Sequence, residues 1–223
     1  MGIHESGFEI QQGVLQAEEC SSLLAALSTE SSRVHRAGLR HLMVRKDVST
    51  LAQDRRLREI AARVVGPSAT PYRATLFDKS GATNWLVPWH QDTALPLTAP
   101  FDLAGWGPWS QKEGIPYAHA PAWALARVVA LRVHLDESTS ENGPLRVVPG
   151  SHEAGVLSDQ SVRAYVRTNG HLECLVNRGG VLAMRPLLIH SSSKARVISP
   201  RRVLHIEYAD ALELGPGIQL ALA

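Results

Sequence analysis

Between Ala17 and Leu27 the apolar side chains Cys20, Leu23, Leu24 and Leu27 recur at helical spacing, which lays them along one face of a helix. Glu18 and Glu19 suit its first turn, where the helix dipole favours negative charge. A second helix is predicted from about Thr50 to Val65, with Leu57, Ile60, Ala61 and Val64 as its apolar face. Ser49 or Thr50 would cap it and Gly66-Pro67 would stop it. From Tyr72 onward the period changes. Short β-rich runs occupy 72–78, 85–90, 127–135, 145–149, 172–176, 181–184 and 202–208, parted by Gly, Pro, Asn and Ser.

Helices followed by many short strands predict an α+β chain whose second part is a β-sandwich or barrel of the jelly-roll kind. The 223 residues suit one domain, with a helical flank over 1–70 and the strands over 71–210. Residues 93–123 interrupt those strands with a long insertion rich in Pro, Gly and Trp. A connection of that length inside a compact domain is an active-site lid or a disordered segment, and its tryptophans argue against disorder. Aromatic residues make up only 5% of the chain, yet all five tryptophans and six of the 13 prolines fall between Trp85 and Trp123.

Hydrophobic residues at 44% and charged residues at 20% are those of a globular protein, and they exclude a collagenous, disordered or disulfide-framework chain. No apolar run approaches the roughly 20 residues of a membrane-spanning helix. The opening MGIHESGFEI lacks the apolar stretch of a signal peptide, so the cytoplasm is the expected compartment. Met1-Gly2 with Ser6 fits a myristoylation pattern, but no basic cluster follows within thirty residues to support it. Cys20 and Cys174 read as buried free thiols. Net charge is +2; Arg33, Arg36, Arg40, Arg45 and Lys46 cluster near His35 and His41, a solvated surface rather than a nucleic-acid module.

The chemistry concentrates at Trp89-His90-Gln91-Asp92. Residues two apart on an extended strand share a face, so an imidazole and a carboxylate can meet on one metal ion. A second histidine would complete the two-histidine, one-carboxylate triad that binds one face of iron(II) and leaves three positions open. His4, His35 and His41 precede the strands; His119, His152 and His171 fall in the insertion, a turn and a loop; His134 and His205 lie on strands. His190 ends the apolar run 181–189 and enters Ser191-Ser192-Ser193, where a buried strand opens to a site, and is the best third ligand. Further on, Arg201 shares one strand face with Val203, His205 and Glu207, and Arg202 the other with Leu204, Ile206 and Tyr208. An arginine fixed there suits a carboxylate; an ordinary surface ion pair is the alternative.

These segments resemble the phytanoyl-CoA dioxygenase family of iron(II)- and 2-oxoglutarate-dependent oxygenases. WHQD at 89–92, ENGPLRVVPGSH at 141–152, MRPLLIHSSS at 184–193 and RRVLHIEY at 201–208 carry the resemblance, in that order, over about Tyr72 to Tyr208. It implies a double-stranded β-helix with flanking helices, iron ligands at His90, Asp92 and His190, and O2 as co-reactant. It also implies that Arg201, eleven positions past the distal histidine, binds 2-oxoglutarate, with Ser192 on the same carboxylate. Asn142-Gly143 and Pro149-Gly150 read as turns. Asp92 stands where related halogenating enzymes have a small residue, which argues against halogenation. The chain is short for a coenzyme A thioester, so the family name does not name the substrate.

Around this core, Arg132 and His134 share a strand face opposite Leu131, Val133 and Leu135, and are expected inside the barrel in contact with co-substrate or substrate. Lys79 and Asn84 could touch the keto acid end of 2-oxoglutarate, or be a surface lysine and a turn asparagine. Arg40 could hold an acidic substrate group, or more simply be a solvated arginine; Trp106, Trp109 and Lys112 could cap the substrate, or the tryptophans could pack as core. The leading reading is an oxygenase, most often a hydroxylase, of a small molecule. A zinc or manganese isomerase or hydrolase on the same fold and a catalytically silent binding module are the alternatives. Arg201 speaks against the isomerase or hydrolase, and the intact triad against the silent module.

Overall fold

The structure is a computed structural model, and it describes residues 2–28, 38–79 and 84–223. Arg33, His35 and Arg36 of the basic cluster, and Met1, lie outside the described residues. The helices are α1 (Ile3–Ser6), α2 (Ala17–Ser28), α3 (Lys46–Ala52), α4 (Arg55–Val65), α5 (Ala122–Leu125) and α6 (Asp159–Asn169). The strands begin with β1 (Phe8–Gln11), β2 (Thr70–Asp78), β3 (Val87–His90), β4 (Ala94–Pro96), β5 (Trp109–Lys112), β6 (Ile115–His119) and β7 (Val128–His134). They continue with β8 (Leu145–Val147), β9 (Leu172–Cys174), β10 (Val181–Met184), β11 (His190–Ser192), β12 (Arg202–Ala209), β13 (Glu213–Gly215) and β14 (Ile218–Gln219).

Two antiparallel sheets build the jelly roll: a major one in the order β1-β10-β7-β12-β2 and a minor one in the order β3-β11-β8-β9. Alternation along the major strands decides what each face does. Leu131 and Val133 of β7, Leu204, Ile206 and Tyr208 of β12, and Ala74 and Leu76 of β2 form one core with Leu23, Leu27, Val48, Leu57 and Ile60 of the helices. The opposite face carries Arg132, His205 and Glu207, all buried, and turns them inward. A second apolar cluster, with Ala130, Leu182 and Met184 from the major sheet and Leu145 and Val147 from the minor one, joins the sheets.

The helix expected over 50–65 is two helices. Asp54 ends the first and caps the second, its carboxylate accepting from the Arg56 amide at 2.8 Å; a short acceptor side chain in the middle of an apolar-periodic stretch competes with helix continuation. Gly66, at φ +99°, stops α4 as expected. Residues 1–70 also contribute β1, which pairs with β10 from Phe8↔Met184 to Gln11↔Val181. The insertion 93–123 holds the sheet β4-β6-β5 and α5 rather than an irregular loop. Its β5–β6 turn places both Glu113 (φ 49°) and Gly114 (φ 86°) in the left-handed region, a hairpin geometry that matches strand twist. α6 follows Ser158, whose hydroxyl accepts from the Ser161 amide. Among the described residues, no helix is long and apolar enough to cross a membrane.

Leu131 is fully buried where β7 meets the helices. Leu131→Ala should lower unfolding stability by about 2–5 kcal/mol in denaturant titration, the usual result of deleting a leucine from a core; a loss below about 1 kcal/mol would contradict this packing.

Candidate metal centre and the adjoining cleft

β3 and β11 pair so that His90 and His190 are direct cross-strand neighbours. Their ring centroids lie 4.2 Å apart. Each imidazole offers Nδ1 to a carbonyl two residues earlier, Pro88 at 2.8 Å and Leu188 at 2.9 Å. With Nδ1 donating, each Nε2 keeps its lone pair and faces Asp92, His90 at 3.7 Å and His190 at 3.5 Å. The three ligand atoms all lie within 4.8 Å of one another. Ligands at about 2.1 Å from an ion and at right angles would be about 3 Å apart, so little adjustment is needed. Burial and the neighbouring His90 push the His190 pKa down, which keeps that imidazole neutral and free to coordinate.

Asp92 lies just past the end of β3, and its amide donates to Pro186 at 2.9 Å. Gln91 turns the other way and is buried. Its Nε2 donates to Gly155 and Leu187 carbonyls, both at 2.8 Å, and its Oε1 accepts from the Leu157 amide at 2.8 Å. The residue between the two ligands is therefore the bolt that holds the strand end. On the partner strand, the Ile189 amide donates to Ser151 Oγ at 2.8 Å, fixing the approach to His190.

A cleft of about 500 Å³, including its mouth, opens from His90, Asp92 and His190 and is lined further by Phe77, Lys79, Trp85, Val87, Arg132, Leu145, Ser192 and Arg201. Ser192 Oγ donates to Gly143 O at 2.9 Å and accepts from Lys79 Nζ at 2.8 Å and Arg201 Nη2 at 3.2 Å. Lys79 Nζ also reaches Ser193 O at 2.5 Å, and Arg201 Nε reaches Asn142 O at 3.3 Å. The 142–143 turn positions this end, as Asn142 Oδ1 accepts from the Thr139 amide and its Nδ2 donates to Glu137 O. Gly143 sits at φ +70°, where a Cβ would strike the Ser193 carbonyl. Arg132 lies over the Phe77 ring and donates toward His205 Nδ1 at 3.3 Å.

Lys79, Arg132 and Arg201 are each buried, and among the described residues none of them has a carboxylate partner. Arg201 Nη1 and Arg132 Nε are buried with no hydrogen bond at all. Burial, then the charges of Arg201 and Arg132, push the Lys79 ammonium down to about 7. Burial likewise pushes Arg132 down to about 10 and, with Arg132 beside it, Arg201 down to about 9. Uncompensated buried cations are costly, and a dianionic ligand would offset that cost.

Arg202 points away and forms a two-pronged pair with Asp136 at 2.7 and 2.9 Å. Other expected site residues lie outside the cleft. Asn84 clips the Ala195 backbone through both its amide atoms. His134 is buried on Ser138 Oγ at 3.0 Å. Trp106 and Trp109 pack edge-on against Phe101 within the insertion, which is the core reading of these tryptophans. Trp85 lines the cleft, while Trp89 packs against His171 with tilted rings and lies under Arg146. Lys112 lies 4.4 Å from the Tyr117 ring centroid, and Arg40 is half-buried near it. Sequence reasoning missed Arg73, Phe77 and Glu207. The signal was present for two of them, since Arg73, Thr75, Phe77 and Lys79 alternate along one strand face.

The sequence model described as Phytanoyl-CoA dioxygenase (PhyH) matches residues 3–203. A curated relative, L-proline trans-4-hydroxylase of Streptomyces griseoviridis, is 26% identical over 175 residues, covering 67% of this chain and 58% of that protein. Among solved structures, AviO1 from Streptomyces viridochromogenes Tue57 superposes with a TM-score of 0.68 at 22% identity, covering 98% of this chain and 94% of that one. EctD from S. alaskensis with 2-oxoglutarate and 5-hydroxyectoine gives a TM-score of 0.69 at 18% identity, covering 93% and 73%. HygX from Streptomyces hygroscopicus with nickel and 2-oxoglutarate bound gives 0.65 at 20% identity, covering 93% and 83%.

Two substitutions separate ligation from positioning. Asp92→Ala should weaken divalent-metal binding by at least about 100-fold, because losing even an outer partner of a ligand costs about 10–100-fold. Gln91→Leu, which touches no metal, should weaken it by about tenfold and lower the melting temperature. Calorimetric titration with nickel(II) reads both; unchanged affinity in Asp92→Ala would refute the centre.

Proposed function

Because the chain belongs to the phytanoyl-CoA dioxygenase family, we propose that it is an iron(II)- and 2-oxoglutarate-dependent oxygenase that hydroxylates a small-molecule substrate, consuming O2 and releasing succinate and carbon dioxide. The observation that carries this reading is one cleft with a two-histidine, one-aspartate set at one side and three buried cations without carboxylate partners at the other. Two imidazoles and a carboxylate suit iron(II). The buried, unpartnered Arg201 Nη1 and Arg132 Nε suit the oxygens of a dicarboxylate. Iron(II) with 2-oxoglutarate supplies oxygen activation, with oxidative decarboxylation of the keto acid furnishing the oxidant for a C–H bond.

The chain's own residues do the positioning. Arg201 and Lys79, both anchored on Ser192 Oγ, grip the carboxylate distal to the metal, which Ser192 joins by turning its hydroxyl away from the Gly143 carbonyl. Arg132, whose charge is felt at Asp92, stands on the metal side and is steadied by His205 and Phe77. Phe77, Trp85, Val87 and Leu145 give the co-substrate dry walls, which strengthen every charge contact within them. Asp92 fills the ligand position that a halide would need, so hydroxylation fits better than halogenation. A hydrolase or isomerase would have no use for the three cations. The curated relative is named as a hydroxylase of L-proline, which supports a small molecule here. We place this activity in the cytoplasm, within one domain spanning the chain.

Anaerobic titration of the iron(II) protein with 2-oxoglutarate, followed by its visible charge-transfer band, tests the reading. Absence of the band in well-folded protein would overturn it. Arg201→Ala should raise the 2-oxoglutarate Kd by at least about 30-fold, since hydrogen bonds to charged groups contribute about 1.5–3 kcal/mol each. Iron affinity should stay within about twofold, and Arg202→Ala should bind 2-oxoglutarate normally. Equal losses of iron and 2-oxoglutarate in Arg201→Ala would contradict the assignment of that arginine.

Protonation follows from Lys79. Its pKa of about 7 in the unliganded cleft means the amine is mostly neutral by pH 8. A bound dianion favours the ammonium, so binding should take up a proton above pH 7 and affinity should fall as pH rises from 7 to 9. Calorimetry in buffers of different ionisation enthalpy measures that uptake, and Lys79→Met should abolish it.

A further inference from the structure

A second group of cations lies along β2 from the first. Arg73 and Lys79 share a strand face six residues apart, about 20 Å at the usual rise per residue, with the inward side chains of Thr75 and Phe77 between them. Arg73 belongs to the other end of the metal centre. Its Nη1 donates to Glu207 Oε1 at 3.1 Å, and Glu207 and Asp92 together line a small pocket beyond the metal ligands.

Tyr117 of the insertion organises this end. Its ring lies 5.3 Å from the Arg73 guanidinium carbon and 4.4 Å from Lys112 Nζ, and its hydroxyl meets His41 Nε2 at 3.1 Å. Arg40, next to His41, is close enough for its charge to act on Lys112, Tyr117 and His41. The buried negative charge there is already engaged. Glu207 accepts from Tyr72 OH at 2.7 Å and meets His205 Nε2 at 3.1 Å besides Arg73, while Glu113 faces His41 Nδ1 at 3.5 Å. Arg73 Nε is buried with no partner. Among the described residues, Lys112 and Arg40 have no hydrogen-bonded or ion-paired side-chain partner.

We propose that Arg73, Lys112 and Arg40 form an oxyanion subsite that holds a carboxylate or phosphate group of the substrate, on the opposite side of the metal ligands from the co-substrate cations. This rests on the oxygenase reading and narrows its substrate class to small acids. The subsite anchors the substrate by its charged end, which leaves the C–H bond to be oxidised over the metal, and it fixes which carbon that is. The Tyr117 ring, which both Arg73 and Lys112 approach, steadies the two long cationic side chains, so the anion meets preformed donors. Arg73 also holds Glu207 and therefore has a structural task; Lys112 and Arg40 do not, and the test is built on them.

Inorganic phosphate and acetate are titrated calorimetrically, without oxygen, into protein carrying iron(II) and saturating 2-oxoglutarate, so that the co-substrate cations are occupied. At least one anion should bind saturably, and the tighter of the two tells a phosphate-bearing substrate from a carboxylate. Lys112→Met and Arg40→Met should each weaken it by about tenfold, the size expected for losing a charge-assisted bond. Lys112→Arg should restore binding, and 2-oxoglutarate affinity and melting temperature should not move. No binding of either anion, equal binding in both methionine variants, or binding that disappears once 2-oxoglutarate is present would each overturn the proposal. If the wild-type protein forms no charge-transfer band with 2-oxoglutarate, the oxygenase reading fails by itself, and phosphate titration of the metal-free protein with the same variants still decides the subsite.

Discussion

The pairing of β3 with β11 is the constraint on which the site depends. It brings His90 and His190, a hundred residues apart in the chain, into direct cross-strand register. A slip of one residue would turn one imidazole to the other face of the sheet and disperse the ligand set. Such a short ladder holds little register of its own. Gln91 at one end and Ser151 beside the other supply it, through bonds to backbone groups rather than to ligands. Precision at the candidate centre therefore comes from side chains outside the three-residue cluster.

The major sheet divides its labour by face. On the outside, apolar residues of β2, β7 and β12 pack with the helices into the largest core. On the inside, the same strands carry Arg73, Arg132, His205 and Glu207. Burial of such groups is unfavourable unless each finds a partner. His205 and Glu207 are satisfied in a chain from Arg132 to Tyr72 and Arg73, whereas Arg201 Nη1 and Arg132 Nε are not. These two atoms lie in the cleft beside the three-residue cluster, and a third, Arg73 Nε, lies outside it; at such atoms stability is exchanged for readiness to bind.

The strand pattern and the grouping of His90, Asp92 and His190 were legible from alternation and spacing alone, or from these together with the family's motifs, as was the parting of Arg201, which lines the cleft, from Arg202, which pairs with Asp136. What escaped was tertiary. Asp54 divides α3 from α4 because a carboxylate can cap as well as decorate a helix, and apolar spacing does not tell the two apart. The strands of the insertion are three to five residues long, too short for periodicity to register. α6 has only Val162 fully buried, so its apolar signal is weak. Arg73 looks like any surface arginine until β2 is known to pair with β12, which sets Glu207 directly opposite it. Trp106 and Trp109 share a composition window with Trp85, yet only Trp85 reaches the cleft. Nearness in sequence to a ligand is poor evidence of nearness in space once a hairpin intervenes.

β2 is the last strand on its side of the major sheet, but its outer rim is not bare. Leu39 exchanges both backbone hydrogen bonds with Leu76, and Ala223 bonds the Ala74 amide and the Tyr72 carbonyl. An open rim of this kind is a template on which a second chain can add a strand. Here the protein occupies it with its own backbone at 72, 74 and 76, so the strand that supplies Arg73 and Lys79 is shielded there from edge-to-edge aggregation.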